Sequence, residues 1–107
     1  MNIRDISAIE EVGSDLDDGE DFYDSQEIGV GAYFRDCIIS DVESLRLYAG
    51  VHAKHFGFYR MLSTRFPYAI YYCIQDDVAV VVAVLDMRRD PSWSDRKLKG
   101  RKGPQDS

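Results

Sequence analysis

Four arginines bracket the most strand-like part of the chain and carry its first chemical signal. In FYRMLSTRFPYAIYYCIQDDVAVVVAVLDMRRD, from Phe58 to Asp90, Arg60 and Arg65 flank the first apolar segment, and Arg88 and Arg89 close the last. Arg96, Lys97, Lys99, Arg101 and Lys102 follow. Such a basic stretch could attract a phosphate backbone or an acidic protein. His52 and His55 lie three apart with Lys54 between them. They could be half of a metal site or an acid–base pair. No carboxylate or cysteine sits beside them at ligand spacing, so ordinary polar loop contacts are the expectation and no metal is. Cys37 and Cys73 stand in apolar settings without CxxC spacing, which predicts plain buried thiols.

The elements that position these residues read as follows. Ile3, Ile6 and Ile9 suit a helix or a short opening strand equally well. Val12, Leu16 and Phe22 or Tyr23 predict a helix over 10–24, with Asp15, Asp17, Asp18 and Asp21 largely outside its apolar face. Gly13 and Gly19 weaken it by about 1 kcal/mol each relative to Ala. Gly19 lies on or near the apolar stripe, where another backbone could come close. Gly29 and Gly31 mark a turn, and a second helix follows from Val30 to Tyr48 on a stripe of Val30, Tyr33, Phe34, Cys37, Ile38, Val42, Leu45 and Tyr48, with Asp41 on the other side. Two such helices on a short link make an antiparallel hairpin.

Three antiparallel strands come next. The first runs from Phe58 to Arg65, until Phe66-Pro67 interrupts it. The second is Tyr68 to Ile74, apolar on both faces. A tight turn at Gln75-Asp76-Asp77 leads into the β-branched third strand, Val78 to Leu85. Asp90-Pro91 reads as an N-cap with proline at the first helical position, opening a short helix to about Leu98 that docks through Trp93 and Leu98. Residues 1–98 are expected to form one α+β domain, with the helical pair on one face of the sheet. Residues 99–107 are expected to be a polar, disordered tail.

A chain of 107 residues, 45% hydrophobic, has one domain as its prior and can bury one core. No run reaches the roughly 18 apolar residues that cross a bilayer, and the N-terminus lacks the pattern of a signal peptide. A cytoplasmic protein without a membrane partner is the default expectation. The net charge of −6 is unevenly spread: residues 1–50 hold 13 Asp/Glu against 3 Lys/Arg, and residues 51–107 hold 6 against 10.

Two blocks resemble the RelE/ParE superfamily of toxins from type II toxin–antitoxin modules, most closely its ParE-like, plasmid-stabilisation branch. The first is Asp15-Leu16, Asp21-Phe22-Tyr23-Asp24-Ser25-Gln26, Gly29-Val30-Gly31 and Phe34. The second is Tyr59-Arg60, Arg65-Phe66-Pro67-Tyr68-Ala69-Ile70-Tyr71-Tyr72, Ala83-Val84-Leu85 and Arg88-Arg89-Asp90-Pro91. The resemblance implies an N-terminal strand, a helical hairpin on a small curved antiparallel sheet (β-α-α-β-β-β) and a cognate antitoxin that folds onto the toxin. A toxin–antitoxin hetero-oligomer or a homodimer would be the assembly. No cofactor is implied.

The resemblance leaves two activities open. ParE-like members poison DNA gyrase; RelE-like members cut mRNA on the ribosome. Cleavage needs a base, an acid and cations for the transition state. Arg60, Arg65, Arg88 and Arg89 could supply cations. Asp86 stands where many relatives have His, and is either a base or a strand-end hydrogen-bonding residue. The lysines of active RelE-like proteins have no match between Gly31 and Gly50. Gyrase poisoning needs only binding, and the resemblance points to Met87–Lys102 for target contact, with Arg88, Arg89, Trp93, Arg96 and Lys97 as its residues. Trp93 is then an interface anchor, a helix anchor, or both. Arg60 and Arg65 either meet an acidic partner or pair with helix carboxylates. The expectation is a non-enzymatic gyrase-binding toxin; the alternatives are a ribosome-dependent mRNA interferase and a non-toxic interaction module.

Overall fold

Val78–Asp86 is the hub of a five-stranded sheet in the computed structural model, which describes residues 3–101. The elements in chain order are β1 (Asp5–Ala8), α1 (Glu11–Gln26), α2 (Val30–Glu43), a single turn α3 (Leu45–Tyr48), β2 (Lys54–His55), β3 (Phe58–Leu62), β4 (Tyr68–Gln75), β5 (Val78–Asp86) and α4 (Pro91–Lys99). The sheet order is β1-β5-β4-β3-β2. β1 joins β5 in parallel, and the other neighbours are antiparallel. The opening segment is thus a strand. The β4–β5 turn places both Asp76 (φ 53°) and Asp77 (φ 64°) in the left-handed region, which Asp tolerates.

Both faces of the sheet are covered. Val12, Phe34 and Ile38 of the helical hairpin and Leu45 of α3 pack on Ile70, Tyr72 and Val81. Leu98 and Trp93 of α4 pack on the opposite face, against Ala69, Tyr71, Val82 and Leu85. A β-bulge makes this possible: Tyr71 pairs with Ala83 and Tyr72 with Val81, leaving Val82 as the extra residue. The side-chain alternation slips there, so Val81 and Val84 both face the hairpin while Val82 and Ala83 face α4.

β1 ends at Ala8, and Ile9 donates the last backbone bond to the carbonyl of Val81. Beyond it the outer edge of β5 is completed by side chains. Asp15 Oδ2 accepts the Val84 amide at 2.9 Å, and Arg101 Nη1 donates to the Val82 carbonyl at 3.1 Å. The two side chains pair with each other in a fork, Nη1 to Oδ2 at 2.5 Å and Nη2 to Oδ1 at 2.6 Å. They are only 6% and 8% exposed. Asp15 comes from the hairpin face and Arg101 from the α4 face, so the pair wraps the sheet edge.

This overturns two expectations. Asp15 is buried on the inner face of α1, because it terminates a strand edge. Arg101 is not part of a disordered tail: α4 runs to Lys99 and the chain continues into the buried pair. Residues 102–107, the remainder of the expected tail, lie outside the described residues. Asp41 is likewise buried, with carboxylate bonds to Ser63 Oγ (2.8 Å), Thr64 N (3.2 Å) and Thr64 Oγ1 (3.0 Å). Those bonds pull the chain out of the sheet after Leu62, so β3 stops short of the expected Arg65. The second helix breaks at Ser44 rather than running unbroken to Tyr48.

The close helix–helix approach is at Gly31. A Cβ there would collide with the Glu20 carbonyl oxygen and the Asp24 carboxylate, whereas Gly19 makes room for the Phe34 ring. Asp24 Oδ1 also accepts the amides of Gly29 (3.2 Å) and Gly31 (2.8 Å), with Gly29 at φ 95°. Gly31→Ala is therefore expected to destabilise the protein by about 2 kcal/mol, as overpacking against backbone does. Gly13, inside α1 with nothing near its would-be Cβ, gives the opposite sign: Gly13→Ala is expected to stabilise by about 0.5–1 kcal/mol. Denaturant unfolding of both variants checks the contrast.

Candidate interaction site

The end of β5 and the helix after it bring most of the predicted residues together. A cleft of about 150 Å³ is lined by Asp15, Asp18, Gly19 and Phe22 of α1, Tyr68 of β4, Val84 to Asp86 of β5, and Arg89, Trp93 and Lys97 around α4. Asp90 caps α4 as expected, accepting the Ser92 amide at 2.8 Å, and Pro91 takes the first helical position. That cap fixes where Trp93 and Lys97 stand.

Arg88 is held on the rim. Its Nε and Nη2 donate to the two oxygens of Asp86 at 2.9 and 3.0 Å, and its amide donates to the same carboxylate at 2.9 Å. Its guanidinium lies 4.9 Å from the Phe22 ring and 5.9 Å from that of Tyr23. Burial pushes the Asp86 carboxyl up, but the hydrogen bonds from Arg88 and the charges of Arg88 and Arg89 outweigh it and hold the group below the usual carboxylate range. Tyr68 is pushed up to about 12, chiefly by burial and then by the Asp86 charge. Tyr23 is raised by burial too.

Trp93 is bracketed by cations. The Arg89 guanidinium sits 4.5 Å from its ring centre and Lys97 Nζ 5.5 Å. Both contacts are in the range where a cation is attracted to the ring face. Trp93 is half-buried against the sheet with one side in the cleft, so it is both a helix anchor and a cleft wall. Arg96 lies on the exposed side of α4, donating to Ser92 Oγ at 3.2 Å.

Arg60 and Arg65 stand apart from this cleft. Arg60 projects from β3, opposite Tyr71, into a second cleft of about 70 Å³ that Arg89 also lines, with Phe56, Tyr71, Met87, Pro91 and Ser94. Arg65 is exposed in the β3–β4 connection. The expected pairing of these two with helix carboxylates is not found among the described residues. Several helix carboxylates are taken elsewhere: Asp17 and Glu20 by Arg35 (2.7 and 2.6 Å) and Asp15 by Arg101. Phe22, Tyr68, Asp15 and Arg101 were not among the sequence-predicted site residues. Neither Asp15 nor Arg101 carried a local signal for its role, because each depends on a partner far away in the chain.

The histidines are remote from the cleft. His52 Nδ1 meets Tyr72 Oη at 2.5 Å, and Gly50 donates its amide to the same oxygen. Burial lowers the His52 pKa. Among the described residues no group of three His, Cys, Asp or Glu is placed to hold a metal ion, and no helix is long and apolar enough to cross a membrane. Cys73 is buried and Cys37 half-buried.

The fold is shared with a solved chain described as the chromosomal ParDE TA system from P. aeruginosa. The TM-score is 0.67 at 14% identity, over 75% of this chain and 91% of that one. No protein-family model and no curated protein sequence matches the chain.

Asp86 makes the site's stability depend on pH. Its folded pKa lies below the unfolded value near 3.9, so its stabilisation is present above that pH and is lost as pH falls through the folded value. Asp86→Asn is expected to lower stability at neutral pH by about 1 kcal/mol, and the gap should close below about pH 4. Denaturant unfolding across that range measures it.

Proposed function

We propose that this chain is a ParE-like toxin of a type II toxin–antitoxin module, working in the cytoplasm by binding and poisoning DNA gyrase. A cognate antitoxin neutralises it. The observation that carries the reading is the cation-bracketed Trp93 on α4, set over a cleft on a fold shared with a ParDE chain. Aromatic and arginine residues around a pocket are the usual composition of an interface hot spot.

The chemistry around the cleft favours binding over bond-breaking. Asp86 is engaged by three Arg88 donors and held below the carboxylate range, which makes it a weak base at neutral pH. Tyr68, pushed to about 12, is poorly matched to proton transfer there. His52 is turned to Tyr72 instead.

One observation favours the RelE-like reading. Arg60 and Arg89 share the second cleft with Phe56, whose φ of 58° is a strained value for a bulky residue. Two guanidiniums and an exposed aromatic could take a phosphate and a base.

Inducing the chain alone in bacteria separates these readings. The expected result is filamentation with a DNA-damage response, relieved by co-expressed antitoxin, and toxicity reduced at least about tenfold by charge reversal of Arg96 and Lys97 together. Rapid translation arrest with messages cut at ribosomes, abolished by Arg60→Ala, would establish the interferase instead. Normal growth would reject both.

A further inference from the structure

We propose that Arg101 is a positioning residue: its buried pair with Asp15 holds α4, and so sets the Trp93 face that the toxin presents to its target. The cellular arm of this inference rests on the toxin reading above; the structural arm does not.

α4 has little else to keep it in place. It is nine residues long, and a helix of that length is marginal without tertiary contacts. Its buried residues are Ser94 and Leu98, with Trp93 half-buried. Its start is secured by the Asp90 cap and by the Met87 amide donating to the Pro67 carbonyl. Its end closes through Gly100 N to Arg96 O and Arg101 N to Leu98 O, so the backbone of Arg101 is continuous with the last helical turn. From there the Arg101 side chain reaches round the sheet edge and grips Asp15 with both terminal nitrogens. The fork geometry constrains direction as well as distance. A pair this enclosed is also poorly screened by salt.

Asp15 itself lines the cleft facing Trp93 and Lys97. The ion pair therefore joins the two walls of the proposed site, α1 and α4, at their common end. Other cations on α4 cannot substitute. Exposed Lys99 pairs with Asp95 and Arg96 with Ser92, both within the helix.

Hydrogen exchange on the full chain tests this. Arg101→Gln removes the charge at a position outside the sheet core. Asp15→Asn removes it from the other side and keeps an acceptor for the Val84 amide. Both are expected to speed exchange at the amides from Ser94 to Gly100 by at least about tenfold through local opening, while the β4 amides, which report global unfolding, lose protection only by the overall loss of stability. Arg101→Lys, which keeps the charge without the fork, is expected to recover part of it. Unchanged α4 protection in either charge-removing variant overturns the proposal, because the pair would then merely seal the β5 edge. In cells, both variants are expected to lose toxicity at least about tenfold at wild-type levels of folded protein. Full toxicity from a chain with a loosened α4 overturns the link to the target. Should the wild type itself leave growth normal, the toxin reading fails, and the exchange data still decide the positioning role.

Discussion

The outer edge of β5 beyond Val81 is the constraint on which the rest of the molecule turns. A strand edge must satisfy its amides and carbonyls, and a buried one that fails costs stability at each group. β1 covers only the first part of this edge. The Val84 amide and the Val82 carbonyl are met by a carboxylate and a guanidinium that also neutralise each other. Neither charge could be buried alone, and removing one partner of such a pair typically costs about 3–5 kcal/mol. The structure thereby couples an aspartate in the first helix to an arginine 86 residues later, and the helices on the two faces of the sheet become one unit.

The charge distribution looks different once these pairings are known. The acidic half is not simply a solvated face. Asp15 and Asp41 are buried, Asp24 ties the helix–helix turn, and Asp17 and Glu20 share Arg35. Much of the negative charge of the hairpin is spent on joining elements. The basic half divides as well. Arg101 is consumed internally and Arg88 is neutralised by Asp86, while Arg89 and Lys97 lie against Trp93. The cations left to face a partner are thus fewer than the composition implies, and they are concentrated around α4.

Those pairings also explain how much was legible in the sequence. β4 and β5 were readable because a strand buried on both faces is apolar at nearly every position. The Asp76-Asp77 turn and the Asp90-Pro91 start were readable because their chemistry is local. Asp15 and Asp41 were not, since a helical wheel assigns carboxylates to water unless the partner is known. Here the partners, Val84 and Ser63-Thr64, lie 69 and about 22 residues away. Gly19 read as a place of close backbone approach and Gly31 as part of a turn, and only packing shows that Gly19 meets a ring and Gly31 a backbone. For the site, the cluster of Asp86, Arg88, Arg89, Trp93 and Lys97 followed from being close in sequence at one strand end. Its other wall, Phe22 and Asp15, comes from the first helix and left no local mark.

The cleft itself follows from a mismatch of strand lengths. β1 has 4 residues and β5 has 9. Had β1 continued alongside β5, it would have occupied the space where α1 and α4 now approach each other around the sheet edge. Because it stops, the two helices meet past its end, and the gap between them is walled by an aromatic from each, Phe22 and Trp93. The bulge at Val82 adds the second requirement, turning Val84 toward the hairpin and Leu85 toward α4 just where the cleft opens. A site built from an interrupted edge is floored by strands buried on both faces and walled by a short helix whose end is tied back to α1 by the Arg101–Asp15 pair.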